Sequence, residues 1–282
     1  MKLFYDARDR VAARHGDRRL KWLYEMGACP VDDATPKDEG FLFAGVRPME
    51  DYRDLVRNRP LLRDRPEDRE PLLELDKVLA ALEKEKVKIP TPRTWRIELD
   101  APPPRDLKYP LFVRTAKSSW KLGGQISKVR NRAELEAEMQ ALRRAIQWDA
   151  VILAREWVDL APAGSGVYGK YPQEVRVWII DGQPFGWSFH YLQAISTPAG
   201  FPLKPRDLST LLDYSVEVAK AFRARGVVAD FAKRRSGDWI FIEAGPVSAA
   251  GTAHEGVFRA VATTLAGKRP EPVSDEVGGL FK

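Results

Sequence analysis

Residues 227–246 constrain this chain more than any other stretch. Residues 227–232 are apolar except for Asp230, Ser236-Gly237-Asp238 carries turn chemistry, and residues 239–242 are fully apolar, with Glu243 at their end. The pattern predicts two strands joined by a tight turn in which glycine supplies the positive φ. A carboxylate inside one strand and another closing the next are costly if both are buried unpaired. A divalent cation would remove that cost, and Mg2+ favours carboxylates that it can share with nucleotide phosphates. The plainer alternative is a solvent-facing Asp230 and a Glu243 paired with Lys233 or an arginine.

A length of 282 residues suits one large domain or two small ones. No apolar run approaches the ~20 residues needed to cross a bilayer, which excludes a helical membrane span. The start, Met1-Lys-Leu-Phe-Tyr-Asp6, lacks a hydrophobic signal region. Cys29 is the sole cysteine, so no intrachain disulfide forms, and a cytoplasmic setting is expected. The formal charge of +6 permits a polyanionic partner without requiring one.

Residues 1–71 are the least legible. Arg8, Arg10, Arg14, Arg18, Arg19 and Lys21 alternate with apolar residues and Trp22, which suggests a basic helix. A solvated helix face and a nucleic-acid contact both fit that cluster. From Leu72 onward the texture changes. Leu72, Leu75, Val78, Leu79 and Leu82 fall at helical spacing, and Pro90 and Pro92 stop that helix. Strands are expected at 94–97, 111–115, 125–129 and 151–154. Leu135, Met139, Leu142 and Ile146 stripe one face of a helix over 132–147. Residues 161–171 read as a Gly/Pro loop. The strand at 173–181 turns at Gly182 into a second strand, a hairpin pattern. A helix over 208–225 with Gly226 as its stop, a last helix over 252–265 and a loose tail after Gly267 complete the chain.

The charged and polar motifs fall in a telling order. Asp76-Lys77 precedes Ile89-Pro-Thr-Pro-Arg-Thr94. Pro110-Leu-Phe-Val-Arg-Thr115 enters a Ser/Lys/Gly loop at 116–124. Leu153-Ala-Arg-Glu-Trp-Val158 ends a strand, Glu174-Val-Arg176 opens another, and Asp230-Phe231 and Ile242-Glu-Ala-Gly-Pro246 close the series. In this order and spacing the chain resembles the ATP-grasp superfamily, from about Leu72 to the end of the last helix. Two positions differ from that family's usual pattern: Arg114 stands where lysine is common, and Gly245 where a closing asparagine is common.

The resemblance implies an α+β ATP-grasp fold. Its two subdomains, 72–155 and 156–282, would grip ATP and would follow a short N-terminal domain, 1–71. It implies that Lys77, Arg114 and Lys117 face the nucleotide phosphates, Arg114 with a fork that binds phosphate bidentately. Glu156 and Val158 would meet adenine through their backbone, Trp157 would cover it, and Asp159 would reach the ribose. Asp230 and Glu243 would hold Mg2+, with water in place of the missing asparagine. Arg176 would stabilise the transferring phosphoryl group and Lys233 would complete the phosphate cage. The implied activity is a ligase that makes an acyl phosphate on a small-molecule, peptide or amino-acid acceptor. The rival readings are an ATP-dependent protein acting on RNA or DNA ends through the basic N-terminal segment, and a non-catalytic ATP-binding module. His15, His190 and His254 lack metal-ligand spacing, and His254 is the one nearest the expected acceptor side. Trp120, Trp187 and Tyr191 are candidates for lining the acceptor site, with core packing as the stronger alternative.

Overall fold

The computed structural model describes residues 1–6, 18–45, 48–98, 100–117, 128–145, 151–166, 169–190, 201–252, 254–275 and 278–281. The chain opens with a parallel sheet. Its strands are β1 (Lys2–Tyr5), β2 (Cys29–Pro30), β3 (Gly40–Phe43) and β4 (Leu62–Arg63), in the order β2-β1-β3-β4. β3 is buried along its whole length, as the Gly-Phe-Leu-Phe run requires of a parallel strand covered on both faces. Helix α1 (Arg18–Glu25) turns Trp22 and Leu23 inward, and α2 (Met49–Val56) turns in Tyr52 and Leu55.

A short helix, α3 (Pro66–Arg69), leads to α4 (Leu75–Lys84), which buries Leu75, Val78 and Leu82. A four-stranded antiparallel sheet follows. It comprises β5 (Thr94–Glu98), β6 (Leu111–Thr115), β7 (Lys128–Val129) and β8 (Val151–Glu156), in the order β5-β8-β6-β7. Leu135, Met139 and Leu142 of α5 (Arg132–Ala145) pack on one face of it, with Ile97, Val113, Ile152 and Ala154. Three residues of the stripe read from the sequence therefore form the contact face, and the fourth, Ile146, lies outside the described residues.

A small hairpin, β9 (Pro162–Gly166) with β10 (Gly169–Pro172), precedes the largest sheet. That sheet holds β11 (Glu174–Ile180), β12 (Gln183–Phe189), β13 (Gly226–Lys233), β14 (Trp239–Pro246), β15 (Ser274–Asp275) and β16 (Gly278–Leu280). Their order is β14-β13-β11-β12-β16-β15, antiparallel throughout. Asp181 and Gly182 both take positive φ, the turn that matches the twist of two antiparallel strands. Helices α6 (Pro205–Ala219) and α7 (Glu255–Leu265) cover opposite faces of the sheet. Leu211 and Val218 of α6 share a core with Val177 and Ala229, whereas Val257 and Phe258 of α7 share one with Trp178 and Val228.

Three expectations differ from this architecture. Residues 161–171 are largely a β-hairpin rather than a loop, because backbone pairing there needs no β-branched side chains. Helix α6 stops at Ala219, and Gly226 opens β13 instead of ending a helix. The tail after Gly267 is not loose, since β16 pairs with β12. A Cβ on Gly186 would stand 2.9 Å from the Gly279 carbonyl, so the fit depends on a strand nearly devoid of side chains. Such a strand shows no apolar alternation in sequence.

Candidate active site

Alternation along the strands of the large sheet sorts their side chains. Val175, Val177, Ala229 and Phe231 point into the core under α6. Arg176 and Asp230 lie on the other face, directly paired between β11 and β13. Asp230 is also paired with Glu243 of β14, with a bulge that leaves Ile242 as the extra residue. Phe241 and Glu243 are two residues apart and would share a face in a regular strand. The bulge instead keeps Phe241 opposite Phe231 in the core and turns Glu243 to the side of Asp230. Glu243, Asp230 and Arg176 thus form one row across three neighbouring strands.

Each carboxylate of the row has a guanidinium. Arg176 Nε and Nη2 each donate to Asp230 at 2.7 Å, a bidentate pair, and Nη1 donates to the Gly251 carbonyl. Arg114, buried on β6 of the smaller sheet, reaches across and donates from Nη1 to Glu243 Oε2 at 2.7 Å. Beside it on β8, buried Arg155 donates from Nη1 to the bulge carbonyl of Ile242 at 2.8 Å and from Nε to Thr94 Oγ1 at 3.2 Å. The two sheets therefore meet at β14 through arginines.

These surroundings act on the charges in opposite ways. Burial works against the Arg176 charge, yet Asp230, Glu243 and Glu174 outweigh it and hold the guanidinium above its ordinary value. For Arg155, burial and then the neighbouring Arg114 pull the value down to about 9, with Glu243 opposing them. The next row of the same face brings in His190, whose Nε2 lies 3.8 Å from Glu174 Oε1 and 3.9 Å from Asp230 Oδ2. The ligand atoms of Glu174, His190 and Asp230 all lie within 4.8 Å of one another. Metal-ligand spacing along the chain does not reveal this group, but the parity of positions 186 and 188 on β12, carried one step past its end to 190 and set against Arg176, would have.

The remaining sequence candidates divide clearly. Lys77 sits on the outer face of α4, ion-paired with Glu74 at 3.0 Å and Glu70 at 4.0 Å. The Lys117 carbonyl accepts from Arg114 Nη2 at 3.4 Å, which places the start of that loop beside the cluster. Residues 118–127, the rest of the expected phosphate loop and Trp120 among them, lie outside the described residues, as do Tyr191 and His15. The Glu156 N–H is used inside the sheet, donating to the Arg93 carbonyl at 2.8 Å, and the Trp157 N–H donates to Pro110 at 3.1 Å. The Trp157 indole donates to Asp159 Oδ1 at 3.0 Å, and Lys128 Nζ stands 4.7 Å over its ring. Val158 is half-buried between these two residues.

Lys233 departs most from expectation. Three positions separate it from Asp230, so its side chain leaves the opposite face of β13. There it donates to Asp207 at 2.9 and 3.0 Å. His254 is the N-cap of α7, its Nδ1 accepting from the Val257 N–H at 3.1 Å. Trp187 packs on Phe189 at the edge of the core, while in α1 Trp22 is buried and Arg19 donates to the Ala250 carbonyl at 2.6 Å. No described helix is long and apolar enough to cross a membrane.

Two antiparallel sheets closing on a row of carboxylates and guanidiniums define a two-lobed α+β clamp of the ATP-grasp kind. The sequence profile of the ATP-grasp domain, R2K clade family 3, matches residues 67–265, and the chain belongs to that family. The D-alanine–D-alanine ligase of Bacillus anthracis, solved in complex with ATP, superposes with a TM-score of 0.61 at 13% identity, over 87% of this chain and 86% of that one. A RimK domain protein from Sphaerobacter thermophilus DSM 20745 gives 0.57 at 13% identity, over 95% and 98%. The L-amino acid ligase of Bacillus licheniformis gives 0.52 at 13%, over 93% and 70%. At these identities the likeness establishes the fold. Among curated proteins none matches the sequence.

Proposed function

We propose that this chain is an ATP- and Mg2+-dependent ligase that activates a carboxylate as an acyl phosphate for attack by an amine or another nucleophile. The observation that carries this reading is the placement of Asp230 and Glu243 side by side on one sheet face, each held by a buried guanidinium, where the two sheets meet. Both carboxylates suit a hard cation. A carboxylate has about four lone-pair positions, and Arg114 bonds Glu243 at Oε2. Gly245 offers no side-chain ligand, and Mg2+ keeps several waters of its own. Bound there, Mg2+ would supply charge neutralisation to the phosphate oxygens.

The chain's own groups then have defined tasks. Arg114 holds a phosphate through its fork, with the start of the loop at Lys117 beside it. Arg176 binds Asp230 and Gly251 through three of its five N–H donors, so in this reading it positions Asp230 and keeps two donors for the phosphoryl group. The acceptor carboxylate attacks the γ-phosphorus, the bond to ADP breaks, and the incoming amine then displaces inorganic phosphate with loss of its proton. Catalysis rests on positioning and charge neutralisation rather than on a protein nucleophile. The acceptor class is a small molecule, a peptide or an amino acid, as the family resemblance suggests.

The test is a nucleotide-product assay with Mg2+ and ATP on the native chain and on Glu243→Gln, with amino-acid, peptide and RNA pools offered in parallel. ADP and phosphate formed with an amino-acid or peptide pool, and lost in Glu243→Gln, support the ligase. AMP as product, or turnover with RNA alone, overturns it.

A further inference from the structure

Among the described residues, Arg155 carries a buried donor without an acceptor. The side chain is buried, two of its nitrogens bond Thr94 and Ile242, and Nη2 has no partner. Its neighbour Arg114 bonds Glu243, the residue after Ile242, so two guanidiniums reach adjacent positions of β14. Among the described residues Glu243 is the carboxylate that faces both, because Asp230 is taken at both oxygens by Arg176. Burial and the Arg114 charge lower the Arg155 value to about 9, which still leaves the group charged at neutral pH. The junction between the sheets therefore holds more positive than negative charge, in a place where water does little to screen it.

The missing partner is defined by those facts. A water molecule or a hydroxyl would satisfy the donor but not the excess charge. A guanidinium edge with a spare N–H suits an oxyanion, and phosphate is one whose geometry such a fork matches. Neither Lys77 nor Lys233 offers a competing cation here, since each is held by carboxylates elsewhere.

We propose that Arg155 completes the anion site of the cleft, donating from Nη2 to a phosphoryl oxygen of the bound nucleotide beside Arg114. This rests on the nucleotide-binding reading above and adds a binding residue to it. The motif around Leu153–Val158 marks the end of a strand, and nothing in that motif assigns the arginine a ligand.

The test is a set of dissociation constants for ATP, adenosine and inorganic tripolyphosphate on the native chain, Arg155→Lys and Arg155→Gln. Circular dichroism and melting temperatures check that each variant is folded. Arg155→Gln is expected to weaken ATP and tripolyphosphate roughly 10- to 100-fold, the range for one charge-assisted hydrogen bond, and to leave adenosine nearly unchanged. Arg155→Lys keeps the charge and the stem and is expected to lose less. Equal losses for ATP and adenosine, or no loss for either, overturn the inference while the nucleotide reading stands. Native protein that binds tripolyphosphate but not ATP, with that binding lost in Arg155→Gln, keeps the anion site and removes the nucleotide reading. Should Arg155→Gln not fold, Arg155→Lys decides: ATP and adenosine weakened alike there also overturn the proposal.

Discussion

Asp230 accepts two 2.7 Å hydrogen bonds from Arg176 on a strand that is buried almost end to end. Removing one partner of such a pair leaves an uncompensated charge, a larger loss than the pair's net contribution. Arg176→Met is therefore expected to destabilise the chain by ~3–5 kcal/mol in urea unfolding. Arg176→Met with Asp230→Asn should recover part of that loss, because no buried charge is then unpaired. A single variant as stable as the native chain would show that Asp230 finds another counter-charge. Asp230, Glu243, Arg114 and Arg176 were all legible in the sequence, since each interrupts or ends an apolar strand. Lys233 was misplaced for a reason equally visible there: an odd separation from Asp230 sends it to the other face. The environment of Arg155 was not legible. It depends on the bulge at Ile242, and no local residue pattern announces that bulge.

Helix α6 shows how a terminus joins local and tertiary structure. Pro205 opens it and Asp207 sits in its first turn, where a carboxylate complements the helix dipole. Asp207 accepts from the Lys204 N–H at 3.1 Å, from Lys233 Nζ and from the Trp239 indole at 2.9 Å. Burial alone would raise its pKa, but the Trp239, Lys233 and Lys204 hydrogen bonds bring it below the ordinary carboxylate value. A carboxyl group more acidic in the folded state stabilises fully above its unfolded value, and that gain is lost as pH falls through the folded value. The melting-temperature gap between the native chain and Asp207→Asn should thus be widest near neutrality and narrow below about pH 4. Calorimetry across that range checks it, and a gap constant down to acid pH would mean that the charge contributes nothing. Elements with strong periodicity, such as α4 and α5, could be read directly, as could the turn at Asp181-Gly182. β9, β10 and β16 could not, because glycine-rich strands are held by backbone pairing and close approach rather than by a side-chain pattern.

At the scale of the whole molecule the question is whether the N-terminal sheet is a separate body. Residues 1–71 were expected to be a domain of their own, and their sheet does have a small core around Phe4, Leu42 and Tyr52. Its other face, through Phe41 and Phe43 and with Trp22 of α1, shares a core with Trp178, Val228 and Phe258 of the large sheet and α7. Arg69 joins the two parts from within. Fully buried, it donates to Asp64 at 2.9 Å, to the Ala44 carbonyl at 3.0 Å and to Ser248 beside β14, and it stacks 4.4 Å over Tyr52. An apolar face of this kind and a buried ion pair on the same seam favour one cooperative unit over two independent ones. The chain should then unfold in a single transition, with amides of β3 exchanging as slowly as those of α7. Arg69→Met should lower that whole transition by ~3–5 kcal/mol, since it leaves Asp64 buried without its cation. Two resolved transitions, with only the first sensitive to Arg69, would instead make the N-terminal sheet a separately folding attachment. The site row could then form without it. A single transition ties the row to the N-terminal sheet, because Ser248, which Arg69 holds, lies between Glu243 and the Gly251 carbonyl that orients Arg176.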